Sequence, residues 1–256
     1  MNIFDTHAHY DDKAFDKDRK DLLMALPEQG ITRVVNIGAS LASCRRTIML
    51  TEKYDYIYAA LGVHPSETAE LNETEFERLK EMCLQEKCVA VGEIGLDYYW
   101  DEPDREIQKK WFARQLDLAR ELYLPVVIHS RDAAKDTVDI MRAEKAADIG
   151  GVIHCYSYTK DTAKIFLNMG FYFGIGGVLT FKNAKKLKET VEYLPIERIV
   201  LETDCPYLAP VPYRGERNSS LNLPYIISAL AEIKGISEEK VRKVTWENGM
   251  RLYGMR

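Results

Sequence analysis

The stretch FDTHAHY, residues 4–10, runs from an apolar beginning into polar side chains at every second position. Successive side chains of an extended strand point to opposite faces, so Asp5, His7 and His9 are expected to project from one face. Two neutral imidazoles on one strand face can bind a single metal ion. A pair of solvated loop histidines is the alternative interpretation, and this stretch alone leaves both open.

Length and composition indicate an ordinary globular chain. Its 256 residues, 46% hydrophobic and 29% charged, supply a large core and too little charge bias for disorder. Single α/β barrels commonly have this length, and we predict one domain over residues 1–256. The formal net charge of -5 argues against a protein that coats duplex nucleic acid through nonspecific phosphate contacts.

Cysteine usage and the N-terminal residues bear on the compartment. The five cysteines are scattered without a close paired motif: Cys44, Cys83, Cys88, Cys155 and Cys205. This pattern predicts free thiols in a reducing compartment, and we expect the cytoplasm. No apolar run approaches the roughly 18 residues of a membrane helix, and acidic residues stand where a signal peptide would be basic.

Short apolar or β-branched runs alternate with helical patterns along the chain. Eight runs are candidate strands: residues 2–7, 33–38, 56–64, 89–95, 124–130, 150–155, 170–177 and 198–204. Between two of them, residues 105–122 form a helical pattern with one face made of Ile107, Trp111, Gln115, Leu118 and Leu122. The alternation predicts either a parallel barrel or a doubly wound open sheet.

Polar side chains decide between these two folds. All five histidines and two acids lie at or just beyond the C-terminal ends of candidate strands: His7, His9, His64, Glu93, His129, His154 and Asp204. Catalytic residues of barrel enzymes come from these strand ends, because the βα loops meet there around one mouth. An open sheet could not bring the first and eighth strands together. We therefore predict the α/β class, as a TIM-type (β/α)8 barrel.

The joint pattern of these residues favours a metal site. Singly, each has a simpler interpretation, such as a hydrogen-bonded loop histidine, a surface Glu93 or a helix-capping Asp204. Both acids, however, follow buried strands, where a carboxylate is costly unless it is paired or binds a metal. Six candidate ligands exceed the three protein ligands of an open zinc site, so we predict two divalent ions.

A carboxylate can bridge two ions, and Glu93 is central in strand order. We assign it as the bridging ligand. The other ligands divide into His7, His9 and Asp204 on one ion, and His129 and His154 on the other. Mixed imidazole and carboxylate ligands suit zinc or manganese, whereas magnesium prefers more oxygens, so the choice among Zn, Mg and Mn stays open.

Seven motifs now carry a resemblance: FDTHAHY, LGVHP, VGEIGLDYY, LPVVIHSRDA, IHCYS, LETDCPYLAPVPYRG and WENGMRLYG. From Asn2 to about Gly254 the chain resembles the TatD family of metal-dependent deoxyribonucleases. The resemblance implies a TIM-type barrel, two divalent metals and hydrolysis of DNA phosphodiesters, chiefly from the 3′ end of single strands. It also implies that His64 faces the substrate rather than serving as a principal ligand. We expect a monomer that acts on single-stranded DNA or DNA ends, away from membranes.

The sequence departs from the family pattern in three places. Asn218 is followed by Ser219 and Ser220 instead of an acid or amide and a proline, which predicts a looser loop. Tyr158 stands where many members have a small glycine, and Trp100 where an arginine is common. Trp100 can either stack on a base or pack as a lid. These differences bear on substrate preference rather than on metal chemistry.

Roles in catalysis follow from this assignment. The predicted catalytic residues are Asp204, Glu93, His64 and Glu202. Asp204 is expected both to bind metal and to orient or deprotonate the attacking water. Glu202, two residues back on the same strand face, either holds a ligand imidazole or a water, or pairs with a buried Lys or Arg.

Phosphate binding needs positive charge beyond the metals. Arg131 and Arg214 lie in loops at the predicted mouth, where their guanidinium forks can bind phosphate oxygens beside His64. The lysines at 182, 185, 186 and 188 either guide a DNA strand or form a solvated helix face.

Two other functional classes stay open. One is a different hydrolase on the same dinuclear site: an amidohydrolase, a lactonase or a D-aminoacyl-tRNA deacylase. Many amidohydrolases bridge their metals with a modified lysine, whereas Glu93 occupies the fourth-strand position here. The other class is a noncatalytic barrel, which would be expected to have lost a ligand.

Overall fold

The computed structural model describes residues 2–100 and 102–255. The strands of these ranges are β1 (Ile3–Ala8), β2 (Ile31–Gly38), β3 (Ile57–Leu61), β4 (Cys88–Asp97), β5 (Val126–Arg131), β6 (Gly151–Ile153), β7 (Tyr172–Ile175) and β8 (Ile199–Leu201). Their α-helices are α1 (Arg19–Ala25), α2 (Leu41–Lys53), α3 (Glu73–Cys83), α4 (Arg105–Leu122), α5 (Ala134–Ala143), α6 (Lys160–Asn168), α7 (Lys185–Tyr193), α8 (Leu223–Lys234) and α9 (Glu238–Leu252). None of the helices described is both long and apolar enough to cross a membrane.

The eight strands lie in one sheet in the order of the sequence, from β1 to β8. The chain just beyond β8 meets the end of β1, because Ala8 forms a parallel bridge with Cys205 and the amide of His9 donates to the carbonyl of Cys205 at 2.8 Å. A barrel requires this return of the sheet to its first strand. The prediction of a TIM-type (β/α)8 barrel is confirmed.

Four strands, β3, β6, β7 and β8, end earlier than the sequence suggested, and β6 and β8 show the reason. The predicted bounds ran on to Cys155 and Asp204, whereas β6 ends at Ile153 and β8 at Leu201. Cys155 and Asp204 have positive φ angles of 43° and 54°. A left-handed backbone cannot continue a strand, so the chain turns where the polar side chains begin.

The described residues fold as two compact units. The first unit comprises residues 2–36, 155–164 and 172–255, and the second comprises residues 37–154 and 165–171, residue 101 aside. In the first unit, helix α9 packs against both end strands of the sheet. The amide of Asn248 donates to the carbonyl of Ile199 at 2.7 Å, and Gly249 lies on the ring of Phe4. A Cβ at Gly249 would be 2.6 Å from that ring, so glycine permits the close approach.

In the second unit, helix α4 fastens the ends of β3 and β4 through two buried amides. Gln115 accepts a hydrogen bond from the amide of Val63 at 2.8 Å and donates to the carbonyl of Val63 at 3.1 Å. Gln108 accepts from the amide of Asp97 at 2.9 Å and donates to its carbonyl at 3.1 Å. These bonds satisfy the N–H and C=O groups of Val63 and Asp97 that have no partner among the described residues of the sheet.

The predicted buried face of α4 is correct in its middle and wrong at its start. Trp111 and Leu118 are buried as predicted, but Ile107 is 38% exposed and Gln108 takes the buried position instead. An apolar side chain at 108 would leave both backbone groups of Asp97 without these partners.

Replacing Gln108 with Leu should destabilise the protein by about 1–3 kcal/mol, because buried backbone groups lose their partners. The measurement is the urea midpoint, with an unchanged slope. The matched control is Ile107→Ala at the exposed neighbouring position, where we expect a change within about 0.5 kcal/mol. Equal midpoints for Gln108→Leu and the parent would contradict this account of α4.

Candidate metal centre

The first ligand group lies in the first unit and consists of His7, His9 and Asp204. The two Nε2 atoms are 3.1 Å apart, and the Oδ1 atom of Asp204 lies 3.5 Å from His7 Nε2 and 3.3 Å from His9 Nε2. His7 is buried, while Asp204 keeps 17% of its side chain exposed. Strand alternation therefore turns both imidazoles to one point, as the sequence predicted.

These distances suit a metal ion. Ligand bonds of about 2.0–2.2 Å in tetrahedral geometry separate the ligand atoms by roughly 3.3–3.6 Å. The observed separations of 3.1–3.5 Å are close to that range, and imidazole with carboxylate is a donor set that borderline divalent ions accept. The first ligand group fits one divalent ion.

Asp5 fixes the backbone on both sides of this group. Its Oδ1 atom accepts from the amides of Thr203 at 3.1 Å and His7 at 3.3 Å. Its Oδ2 atom accepts from the hydroxyls of Thr203 at 2.7 Å and Ser220 at 2.6 Å. Burial raises the pKa of Asp5 to about 6, although these hydrogen bonds oppose the shift. The carboxylate thus ties β1 to the segment that carries Asp204.

The loop around Ser220 is held firmly, so the expectation of a looser loop is wrong. Ser220 is buried, and its amide donates to the hydroxyl of Tyr10 at 2.9 Å. Its own hydroxyl donates to Asp5, so the 2.7 Å contact with Tyr10 has tyrosine as the donor. Asn218 donates to the carbonyl of Thr203 at 2.9 Å. Serine replaces the family's usual residues with a hydroxyl that the buried carboxylate uses.

Glu202 also lies in the first unit and is buried. Its Oε1 atom accepts from the amide of Cys155 at 2.5 Å. The carboxylate occupies space beside Gly174, where an added Cβ would lie 2.0 Å from Oε2. One partner of Glu202 is therefore the backbone amide directly after His154, and this bond helps to position the chain there.

The second ligand group lies in the second unit and consists of Glu93, His129 and His154. The Oε1 atom of Glu93 is 2.7 Å from His129 Nδ1 and 2.6 Å from His154 Nε2, and these two nitrogens are 3.1 Å apart. Gly95 lets β4 approach β5 here, since a Cβ on it would lie 1.9 Å from the carbonyl of His129. The Oε1 atom and the two nitrogens must move apart by roughly half an ångström to hold an ion. One carboxylate and two imidazoles are again a donor set that suits a divalent ion.

Asp97 is a candidate functional residue that sequence reasoning missed. Its Oδ2 atom lies 3.0 Å from His129 Nε2, so it can accept that N–H and turn the Nδ1 lone pair toward Glu93. Carboxylates of this kind orient metal-binding histidines in many proteins. Alternation along β4 could have found it, because Glu93, Gly95 and Asp97 share one strand face.

Electrostatics in the second ligand group favour one positive charge near Glu93. Burial alone would raise the pKa of Glu93, but His154, His129 and His64 lower it well below its usual range. Burial likewise opposes the charged form of His129, yet its bonds to Asp97 and Glu93 raise its pKa to about 9. A proton on His129 or a divalent cation can supply the charge.

His64 lies beside this group. Its Nε2 atom is 3.8 Å from Glu93 Oε1, and its ring centroid is 4.4 Å from that of His129. Its Nδ1 atom accepts from the amide of Ser66 at 3.2 Å. Ligand atoms of His64, Glu93 and His129 come within 4.8 Å of one another, so the geometry permits His64 as a ligand too. Its role as a substrate-facing group stays a prediction.

The remaining predicted residues are exposed or half-buried. Arg131 and Arg214 are exposed, with their guanidinium carbons 3.7 Å from the ring centroid of Tyr99 and 4.5 Å from that of Phe181, respectively. Trp100 is 63% exposed, which contradicts a packing lid. The residues not yet placed are Tyr158, which is half-buried, Lys182, Lys185 and Lys186, which are exposed, and Lys188, which is half-buried.

Comparisons with known proteins agree with this fold and with metal-dependent chemistry. The profile of the family described as TatD related DNase matches residues 4–254. The chain is 40% identical to the uncharacterized metal-dependent hydrolase YabD of Bacillus subtilis (strain 168), over 98% of either chain. It is 35% identical to the uncharacterized metal-dependent hydrolase YcfH of Escherichia coli (strain K12), over 99% of this chain and 96% of that protein.

A solved structure shows the same fold. The crystal structure of YJJV, a TatD homolog from Escherichia coli K12, superimposes with a TM-score of 0.93 at 28% identity, over 99% of this chain and 98% of that one. Barrel fold, ligand groups and relatives together define a metal-dependent hydrolase. The chain belongs to the TatD family.

Replacing Asp97 with Asn should lower zinc affinity by about 10- to 100-fold, because an amide facing His129 favours the tautomer that protonates Nδ1. Competition with a chromophoric chelator measures the affinity. The control is Asp139→Asn, which removes an exposed ion pair with Lys135 of 2.7 Å and should leave zinc binding alone. Parent-like affinity for Asp97→Asn would show that Asp97 does not orient a ligand.

Replacing His64 with Ala should leave metal content near normal and lower turnover by about 100-fold, as expected for a group that acts on substrate. Elemental analysis and turnover are measured on the same preparation. Loss of an ion from the His64→Ala protein would instead make His64 a ligand.

Proposed function

We propose that this protein hydrolyses DNA phosphodiesters and removes nucleotides from the 3′ end of single strands. Two ligand groups carry the proposal: His7, His9 and Asp204 in the first unit, and Glu93, His129 and His154 in the second. Membership in a family described as TatD related DNase supports a DNA substrate.

Each group has the donors for one divalent ion, so we propose two ions per chain. When bound, such ions lower the pKa of a water molecule and neutralise charge that develops on a phosphate. The donor sets suit zinc or manganese, and magnesium less well. Glu93 as a ligand of both ions is part of this proposal.

Side chains of the protein itself would handle the proton and the substrate. Asp204 keeps 17% of its side chain exposed, so a water molecule can reach its carboxylate, which can orient that water and accept its proton. Burial and the neighbouring His129 lower the pKa of His64 to about 3. A neutral imidazole can bind the substrate by hydrogen bonding without adding charge to the site.

Two arginines supply phosphate contacts in this proposal. Arg131 and Arg214 each stack on an aromatic ring, which leaves the N–H edges of the guanidinium available for phosphate oxygens. The five cysteines are free thiols, which supports a reducing compartment. We propose a monomer that acts in the cytoplasm.

The test uses metal-free protein and a single-stranded oligonucleotide labelled at its 5′ end, with magnesium, manganese or zinc added in turn. We expect a ladder of products that shortens from the 3′ end. Glu93→Gln should reduce cleavage by at least about 100-fold, because the central ligand loses its charge. A matched control is Glu106→Gln on the exposed start of α4.

Blocked ends complete the design. An oligonucleotide with a blocked 3′ terminus should resist cleavage, whereas a blocked 5′ terminus should have no effect. Internal cleavage of the blocked strand would contradict the exonuclease. Turnover of an ester or amide, with no cleavage of DNA under any metal, would favour another hydrolase on the same site.

A further inference from the structure

An exposed surface of aromatic and cationic groups lies at the C-terminal ends of β4 and β5, where Arg131 is the last residue of β5. Tyr99 is 55% and Trp100 is 63% exposed, and their rings meet edge to face with centroids 4.9 Å apart. The guanidinium carbon of Arg131 lies 3.7 Å from the ring centroid of Tyr99. These three residues are called the aromatic platform.

Backbone hydrogen bonds hold the Tyr99 and Arg131 parts of the aromatic platform in place. The amide of Tyr99 donates to Asp97 Oδ1 at 2.9 Å, and the amide of Tyr98 donates to the carbonyl of Arg131 at 2.9 Å. The hydroxyl of Tyr98 donates to Asp136 Oδ2 at 2.7 Å. A surface that is ordered before binding loses less conformational entropy when a ligand arrives.

Asp97 connects the platform to the second ligand group. One oxygen of this carboxylate holds the amide of Tyr99, while the other lies 3.0 Å from His129 Nε2. Arg131 is also two residues beyond His129 on β5, so both side chains leave the same strand face. The platform therefore borders the residues proposed to bind metal.

The chemistry of the platform matches an unpaired nucleotide. The π-face of an exposed indole can stack on any base, with an effect of roughly 5- to 150-fold on affinity per base. A stacked guanidinium can bind a phosphate with its N–H edge. Bases inside a duplex are covered on both faces, so only an unpaired base can use the indole. With a net charge of -5, the chain depends on such local contacts.

We propose that the aromatic platform binds a single nucleotide of the substrate strand, with its base on Trp100 and its phosphate on Arg131. This assignment rests on the proposed nuclease function and gives the protein its preference for unpaired strands. The side chain of Tyr99 supports the guanidinium from below.

The test compares oligonucleotides that carry one abasic position at the first, second or third nucleotide from the 3′ end with the intact strand. For the parent, one abasic position should raise KM by about 5- to 150-fold. Trp100→Ala should raise KM for the intact strand and bring the ratio of KM for the abasic strand to KM for the intact strand close to one. Trp100→Phe should keep most of the parent's difference in KM between the two strands. The control is Tyr123→Ala, since Tyr123 is 94% exposed at the end of α4 and should affect neither substrate.

Arg131→Ala separates the phosphate contact from the stacking contact. It should raise KM for intact and abasic strands alike and reduce the salt dependence of binding by about 0.7 in log–log slope, the value for one phosphate on a single strand. An unchanged slope would remove Arg131 from the platform.

A readout without catalysis distinguishes failure of this inference from failure of the proposed function. Metal-free protein is titrated with oligothymidylate, and the Trp fluorescence of Trp100→Phe is subtracted from that of the parent, so the difference reports Trp100. Stacking should quench this difference signal. Two results would overturn the platform alone. One is DNA cleavage in which Trp100→Ala leaves the abasic-to-intact KM ratio unaltered, and the other is DNA cleavage without quenching of the difference signal. Quenching without cleavage would retain the platform and reject the nuclease, and absence of both would reject both.

Discussion

The first ligand group depends on the hydrogen bonds that the buried carboxylate of Asp5 accepts. This carboxylate lies on β1 and accepts hydrogen bonds from Thr203 beyond β8 and from Ser220 before α8. Burial makes the charged form costly, as the pKa of about 6 shows, so the carboxylate is tolerable only because several donors surround it. In return, three distant segments of the chain are fixed to one another. Asp204, with its left-handed backbone, follows directly from the residue that Asp5 holds.

In the second unit the equivalent constraint is the close approach of strands β4 and β5. Gly95 permits this approach, which brings the carboxylate of Glu93 within hydrogen-bond distance of the imidazole of His129. Asp97, the last residue of β4, is then held twice. Its side chain contacts His129, and its backbone amide donates to the side chain of Gln108. His129 contacts a carboxylate through each ring nitrogen, Glu93 through Nδ1 and Asp97 through Nε2. These two contacts leave the ring little freedom to turn.

How much of this was predictable depends on the type of contact. Period-two alternation placed His7 and His9 together, because it follows from backbone geometry alone. The alternation of strands and helices left a barrel and an open sheet both possible, and the polar residues at the strand ends favoured the barrel. Asp97 followed the same alternation but was overlooked among the aromatic residues after it. The partners of Gln108 and Ser220 could not be derived, since each contacts backbone or carboxylate groups that only the folded chain brings near. Local patterns define the strands, while the polar contacts that hold their ends are long-range.

The departures from the family pattern illustrate the same distinction. Ser220 and Trp100 both replace residues common in the family, and sequence reasoning assigned both to substrate preference. Ser220 is buried and hydrogen-bonded to Asp5, so its substitution is accommodated by the core of the first unit. Trp100 is mostly exposed, and its ring contacts that of Tyr99 in a perpendicular arrangement. An exposed indole gains little from folding, because most of its apolar surface stays in water. Its position next to Tyr99 is therefore better explained by what it binds than by what it stabilises.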